Sequence, residues 1–148
     1  MFRGSTQLSL DSKGRLAIPA KYRNELFANC GGNIVVTADP SRWLLIYPQS
    51  VWEPIEKKLS GFSSFSPQIR SLQRLIIGNA CDVEMDGSGR ILIGAPLRQF
   101  AGLQKEVVLA GQGEKFELWD MAKWDLEIDT ATACKDGDIP PELEGFSL

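Results

Sequence analysis

The chain repeats itself, and any fold proposed for it must be built twice. Asp11-Ser12-Lys13-Gly14-Arg15-Leu16-Ala17-Ile18-Pro19-Ala20 recurs as Asp86-Gly87-Ser88-Gly89-Arg90-Ile91-Leu92-Ile93-Gly94-Ala95, at an offset of 75 residues. Asp, Gly, Arg and the later Ala are identical. Leu8/Val83, Leu10/Met85, Leu16/Ile91 and Ile18/Ile93 stay apolar, and Arg23 meets Arg98. Further along, an offset of 72 aligns Val35-Val36 and Ala38 with Val107-Val108 and Ala110. It also aligns Leu44, Ile46, Tyr47 and Trp52 with Phe116, Leu118, Trp119 and Trp124. Three blocks in the same order mark a duplication, and repeats of this kind decide the architecture before any motif does.

Each copy reads alike. Leu8-x-Leu10 and Leu16-x-Ile18 alternate with period two around a polar turn, which predicts a short β-hairpin. Gly14 and Gly89 stand where such a turn often needs positive φ. A short helix is expected over 19–27, with Pro19 in its tolerated first turn. The cluster Asn29-Cys30-Gly31-Gly32-Asn33 breaks it, and strands over 34–38 and 43–47 follow. A unit of about 45 residues buries too little surface to stand alone. Two units pairing about a pseudo-twofold into one barrel would remove that difficulty. Between them Ser50-x-x-Glu53 has the form of a capping box, with Val51, Ile55 and Leu59 on one face. Ser66-Pro67 opens a second helix carrying Ile69, Leu72 and Ile76. The expected organisation is a first repeat over 5–48, a helical linker over 49–78, a second repeat over 79–124 and an acidic, loose tail over 129–148.

Composition narrows the chemistry. The sequence has no histidine, which removes Ser-His-Asp and Cys-His nucleophilic pairs and the commonest general base near neutral pH. Its three cysteines (Cys30, Cys81, Cys134) are far apart and form no C-x2-C pair. They read as small buried hydrophobes in a reducing compartment. No metal site, cofactor or catalytic group is expected. The longest apolar stretch, Trp43 to Tyr47, is far short of the roughly 20 residues of a membrane span. The start, Met1 to Thr6, lacks the pattern of a signal peptide. A cytoplasmic protein without membrane contact is the expectation.

Charge is unevenly placed within a net of −3: residues 1–110 carry 13 Lys/Arg against 9 Asp/Glu, residues 111–148 only 3 against 10. Five bases (Arg3, Lys13, Arg15, Lys21, Arg23) and one acid, Asp11, fall within residues 1–23. Polyanion binding responds to such a local patch rather than to the overall balance. An ordinary solvated basic surface is the alternative reading.

The duplicated Asp-x-x-x-Arg turn, the opening Met1-Phe2-Arg3-Gly4, the helical insert after Tyr47-Pro48 and the repeated Trp resemble the MraZ family of bacterial transcriptional regulators. The resemblance covers roughly residues 1–128. It implies an α+β, mainly β fold of two AbrB-like (SpoVT-AbrB) swapped-hairpin β-β-α-β-β repeats, with a helical insert, closing into one barrel. It implies a sequence-specific repressor of the cytoplasm and nucleoid, acting on the division and cell-wall gene cluster that begins with its own gene. The partners implied are double-stranded DNA carrying short, guanine-containing direct repeats, and further copies of itself in a ring-like homo-oligomer.

Arginine on a hairpin suits that task, because its guanidinium can fork onto guanine O6 and N7 in the major groove. Arg15 is therefore the first candidate for base readout, with Arg90 as its counterpart. Lys13 suits a phosphate, and Arg3 would add a contact from the N-terminal arm. Asp11 and Asp86, with Gly14 and Gly89, are expected to orient the loops, since a carboxylate repels phosphate. The first loop carries more positive charge than the second. Both arginines could instead merely pair with Asp11 and Asp86 and hold the loops shut. An enzyme would need an acid/base pair such as Asp86 with Asp11 or Glu84, which nothing in the spacing requires. An antitoxin-like interaction protein whose acidic tail wraps a partner is the third reading, and duplication within one chain argues against it.

Overall fold

The computed structural model describes residues 1–63, 65–133 and 140–147. In chain order it runs β1 (Phe2–Ser9), β2 (Arg15–Ala17), α1 (Ala20–Cys30), β3 (Asn33–Ala38), β4 (Leu44–Pro48), α2 (Gln49–Ser60) and α3 (Pro67–Ile76). The second half runs β5 (Cys81–Glu84), β6 (Arg90–Leu92), α4 (Ala95–Phe100), β7 (Glu106–Gly113), β8 (Phe116–Asp120) and α5 (Met121–Thr132). Among the described residues the protein is α+β, with eight strands, all paired antiparallel, and five α-helices. A six-stranded sheet has the order β1-β7-β8-β4-β3-β5, and β2 pairs with β6 in a two-stranded ribbon.

Both Asp-x-x-Gly-Arg turns form, but the strands on either side of each turn do not pair with one another. β1 of the first copy lies along β7 of the second, and β5 of the second along β3 of the first. The local hairpin expected from alternation is thus replaced by an exchange between copies. The physical reason is visible in β3, whose residues from Ile34 to Ala38 are all buried. A strand covered on both faces needs backbone partners along both edges, and β4 and β5 supply them. The exchange also brings Leu16, Ile18, Ile91 and Ile93 together in one core, each at most 1% exposed.

The structure corrects the repeat alignment by one residue. Ile34, Val36 and Ala38 face the main core, as do Val107 and Leu109. Ile34 therefore corresponds to Val107, an offset of 73 rather than 72, as the register confirms: Asn33 pairs with Glu84 where Glu106 pairs with Ser9. A slip of one residue exchanges the faces of a strand, which a run of valines on a doubly buried strand cannot reveal. The offset returns to 72 in β8, where Phe116 and Leu118 take the places of Leu44 and Ile46.

The helix α5 stands at the same offset of 72 from α2 and has the same length, 12 residues. A copy is thus closer to ββαββα than to ββαββ. Asp129 to Thr132, at the start of the expected tail, are the last turn of α5. Residues 134–139 of that tail, Cys134 among them, lie outside the described residues. The capping box does not form: α2 begins at Gln49 after Pro48, with no side-chain cap, so Ser50 is already inside the helix. Ser66 does cap α3, accepting from Ile69 N–H at 3.4 Å. Of the expected α2 stripe, Val51 and Leu59 are half-buried and Ile55 is exposed, while the buried residue of the helix is Trp52, outside that stripe. Cys81 is exposed, contrary to the buried role expected of it.

Candidate functional site

The two turns share one construction. In the first, Asp11 N–H donates to Arg15 O at 3.1 Å and Gly14 N–H to Asp11 O at 3.0 Å. The Asp11 carboxylate then accepts from the N–H groups of Lys13 and Arg15, at 2.9 and 2.8 Å, and from Arg15 Nε at 2.6 Å. The second turn repeats this with Asp86, Ser88 and Arg90, all three contacts at 2.9 Å. Gly14 and Gly89 have φ of 85° and 74°, a region costly for a side chain. The N–H of Arg15, then its guanidinium, hold the Asp11 carboxyl down at about 2. The Arg90 N–H acts on Asp86 in the same direction.

The ribbon brings the two arginines onto one face. Arg15 pairs with Leu92, Leu16 with Ile91 and Ala17 with Arg90. Opposed residues of an antiparallel pair share a side, and successive ones alternate. Leu16 and Ile91 turn into the core, 0% and 1% exposed. Arg15, Leu92, Ala17 and Arg90 therefore share the outer face. The arginines are diagonal neighbours, a separation of about 7–8 Å between α-carbons. Each guanidinium engages its aspartate through Nε, which leaves the Nη groups without a hydrogen bond among the described residues. The ion pair and an outward fork are thus compatible uses of one side chain.

Each turn is buttressed from the other repeat. Ile18 N–H donates to Gly89 O and Ile93 N–H to Gly14 O, both at 2.9 Å. The Arg98 guanidinium lies against Gly14, where a Cβ would come within 2.7 Å of Cζ. Arg23 lies against Gly89, where a Cβ would come within 2.6 Å of Cδ. Arg23 Nε donates to Ile18 O at 2.6 Å, while the buried Arg98 Nε has no partner among the described residues. Beside the first turn an open cleft of about 550 Å³ is lined by Asp11, Ser12, Arg98 and Lys105.

Lys13 is exposed on the first turn. Arg3 is exposed too, but it sits near the start of β1, about six residues from its turn end, or roughly 20 Å along a strand. The structure does not bring it to the ribbon. The residues that the sequence reading missed are Leu92, 53% exposed on the ribbon face, and the bracing pair Arg23 and Arg98. The repeat alignment had already matched those two arginines, which was the available signal. Asp11 and Asp86, the carboxylates considered for acid/base chemistry, are each committed to their own turn. Among the described residues no three His, Cys, Asp or Glu side chains gather as a metal site, and no helix is long and apolar enough to cross a membrane.

Comparison with known proteins agrees with the duplication. A family profile described as "MraZ protein, putative antitoxin-like" matches residues 1–75 and again residues 76–133. A protein of Nitrosomonas eutropha named "Transcriptional regulator MraZ" is 97% identical over the full length of both chains. Proteins of the same name from Nitrosomonas europaea and Nitrosospira multiformis are 91% and 68% identical, again over the whole of each chain.

Proposed function

This chain belongs to the MraZ family of transcriptional regulators, and we propose that it represses transcription by reading guanines in promoter DNA with Arg15 and Arg90. Its relatives are named as transcriptional regulators, and the chain is accordingly a regulator rather than an enzyme. In the proposed mode the β2–β6 ribbon enters the major groove, whose width admits a two-stranded ribbon. Arg15 reads a guanine through its Nη fork, and Arg90 reads or supports the neighbouring position. Lys13 neutralises a phosphate, and Asp11, Gly14, Asp86 and Gly89 keep the loops in shape. Arg3 would reach DNA only from a site apart from the ribbon.

The observation that carries this reading is the shared outer face: two guanidiniums, each oriented by its own aspartate, on one exposed ribbon. The strand exchange supports an AbrB-like swapped-hairpin barrel of two repeats, 5–48 and 79–124, joined by a helical linker over 49–78 and followed by an acidic tail over 129–148. The targets are short guanine-containing direct repeats upstream of the division and cell-wall gene cluster, the chain's own promoter included. The protein works in the cytoplasm, on the nucleoid. Few basic residues per chain make one contact weak, and a ring-like homo-oligomer raises the effective concentration of the next.

Fluorescence anisotropy tests the reading with a labelled duplex carrying such repeats and a scrambled one. Arg15→Ala is expected to lose about 1–3 kcal/mol of discrimination between them. Lys13→Ala is expected to weaken both duplexes alike and to flatten the salt dependence. Equal binding of both duplexes by wild type and by Arg15→Ala would make the turns scaffold and overturn the proposal.

A further inference from the structure

We propose that the apolar groove between α2 and α3 is a socket for the acidic C-terminal segment of a second copy of this chain, anchored by Leu143 and Phe146. The inference rests on the self-assembling part of the reading above and names the surfaces involved.

The groove is open and lined almost wholly by apolar side chains. Ile55, Leu59 and Phe62 line it with Ile76, over a floor of Tyr47 and Trp52, enclosing about 280 Å³. Two of its lining residues stay open to solvent: Ile55 on α2 is 37% and Phe62 just beyond it 49% exposed. α3 has a strong apolar face, yet none of its residues is buried. Thr37 Oγ1 donates to Ile76 O and ties the end of α3 to the sheet, so the groove has a fixed wall. Contiguous exposed apolar surface with a polar rim is the usual mark of an interaction site.

The rim selects the partner. Lys57 and Lys58 occupy the last turn of α2, and Arg74 the last turn of α3. Among the nearby acids, Glu56 accepts from Trp52 Nε1 at 2.9 Å, and Glu53 lies farther along α2. A fitting ligand therefore has two apolar side chains close together and negative charge around them. The chain's own C-terminal segment has that form. Pro141–Leu143 make a single 3-10 turn. Leu143 and Phe146, three residues apart, are 46% and 67% exposed, with Glu142 and Glu144 alongside. Residues 129–148 hold five acidic residues against one basic. Among the described residues of one chain both the groove and these side chains stay open, so a second copy can supply the cover that each lacks. Socket and segment are different surfaces of one protein. Such a contact is heterologous and propagates into rings or filaments.

The test uses the full-length chain with Phe146→p-benzoylphenylalanine, irradiated and mapped by mass spectrometry, with light scattering on the same sample. Crosslinks between two chains that land on α2 or α3, and that disappear in Ile55→Asp, are expected. Crosslinks within one chain, or to any other surface, overturn the proposal. If the crosslink fails while scattering still reports an oligomer, the socket falls and self-assembly stands. If scattering reports a monomer, both fall. A second variant, Leu143→Asp with Phe146→Asp, alters only exposed side chains and keeps the unfolding midpoint. It should bind a two-repeat duplex at least about tenfold more weakly, with unchanged affinity for a single repeat, as lost multivalency requires. Equal affinity of this variant and wild type for the two-repeat duplex counts against the socket.

Discussion

A carboxylate that accepts two backbone N–H groups and a guanidinium gives up its charge reluctantly, and Asp11 is such a group. The contacts from Arg15 and Lys13 lower its pKa from 3.8 to about 2. The folded value lies below the unfolded one. The stability it contributes is therefore full above about pH 4 and is lost as pH falls through about 2. In thermal melts between those pH values, Asp11→Asn should show a flatter dependence of the midpoint on pH than wild type. An unchanged slope would mean that another group titrates there. Gly14 makes a sharper case. Gly14→Ala sets a Cβ at φ 85° and within 2.7 Å of Arg98 Cζ. It should cost about 1–3 kcal/mol, the usual range for a non-glycine residue held in a sparsely populated conformation. Gly87 has no atom within 4 Å of its Cβ position, so Gly87→Ala should stay within about 0.5 kcal/mol when both variants are unfolded in urea. This level was the most legible in the sequence. An Asp-x-x-Gly-Arg turn states its own chemistry, because every partner of its aspartate lies within four residues.

At the scale of elements, legibility ends where partners stop being local. Alternation in Leu8-x-Leu10 and Leu16-x-Ile18 reports which face of a strand is buried but carries no information on which strand lies beside it. That is why a hairpin was expected where β1 pairs with β7 and β2 with β6. The same limit hid the offset of 73 in β7 and the failure of Ser50 to cap α2. It also hid the bracing of each turn by the other repeat. Arg98 belongs to the second repeat and touches Gly14 of the first, while Arg23 belongs to the first and touches Gly89 of the second. This crossed arrangement has a consequence for amide exchange, which reports local opening. Arg98→Ala should speed exchange at Gly14 and Arg15 and leave Gly89 and Arg90 near wild type. Arg23→Ala should do the reverse, with a larger effect because the hydrogen bond from Nε to Ile18 O is lost as well. Equal effects of either variant on both turns would show that the arginines stabilise the core generally and do not position particular loops.

At the scale of the whole molecule, the exchange gives the two repeats one shared core. Phe116, from the second copy, stacks on Phe2 at 4.2 Å and meets Tyr22 edge-on at 4.9 Å, both from the first. Leu16 and Ile91 pair across the ribbon at the centre of the same core. Phe116→Ala should therefore cost about 3–5 kcal/mol and lower a single unfolding transition seen equally by probes in either repeat. The duplication alone would permit the opposite picture, two small domains melting independently, and only the pairing of strands distinguishes them. Cutting the chain is the stronger test. A fragment of residues 1–78 loses β7 beside β1, β6 beside β2 and β5 beside β3. It keeps only the pairing of β3 with β4, and two strands alone are marginally stable in water. The fragment should be unfolded by circular dichroism, or else fold only as a dimer in which a second copy supplies the missing strands. Mixing it with residues 79–148 should restore the native spectrum. A fragment that is monomeric and fully folded by itself would show that the repeat is a complete domain, and that the exchange organises the reading face without being needed for the fold.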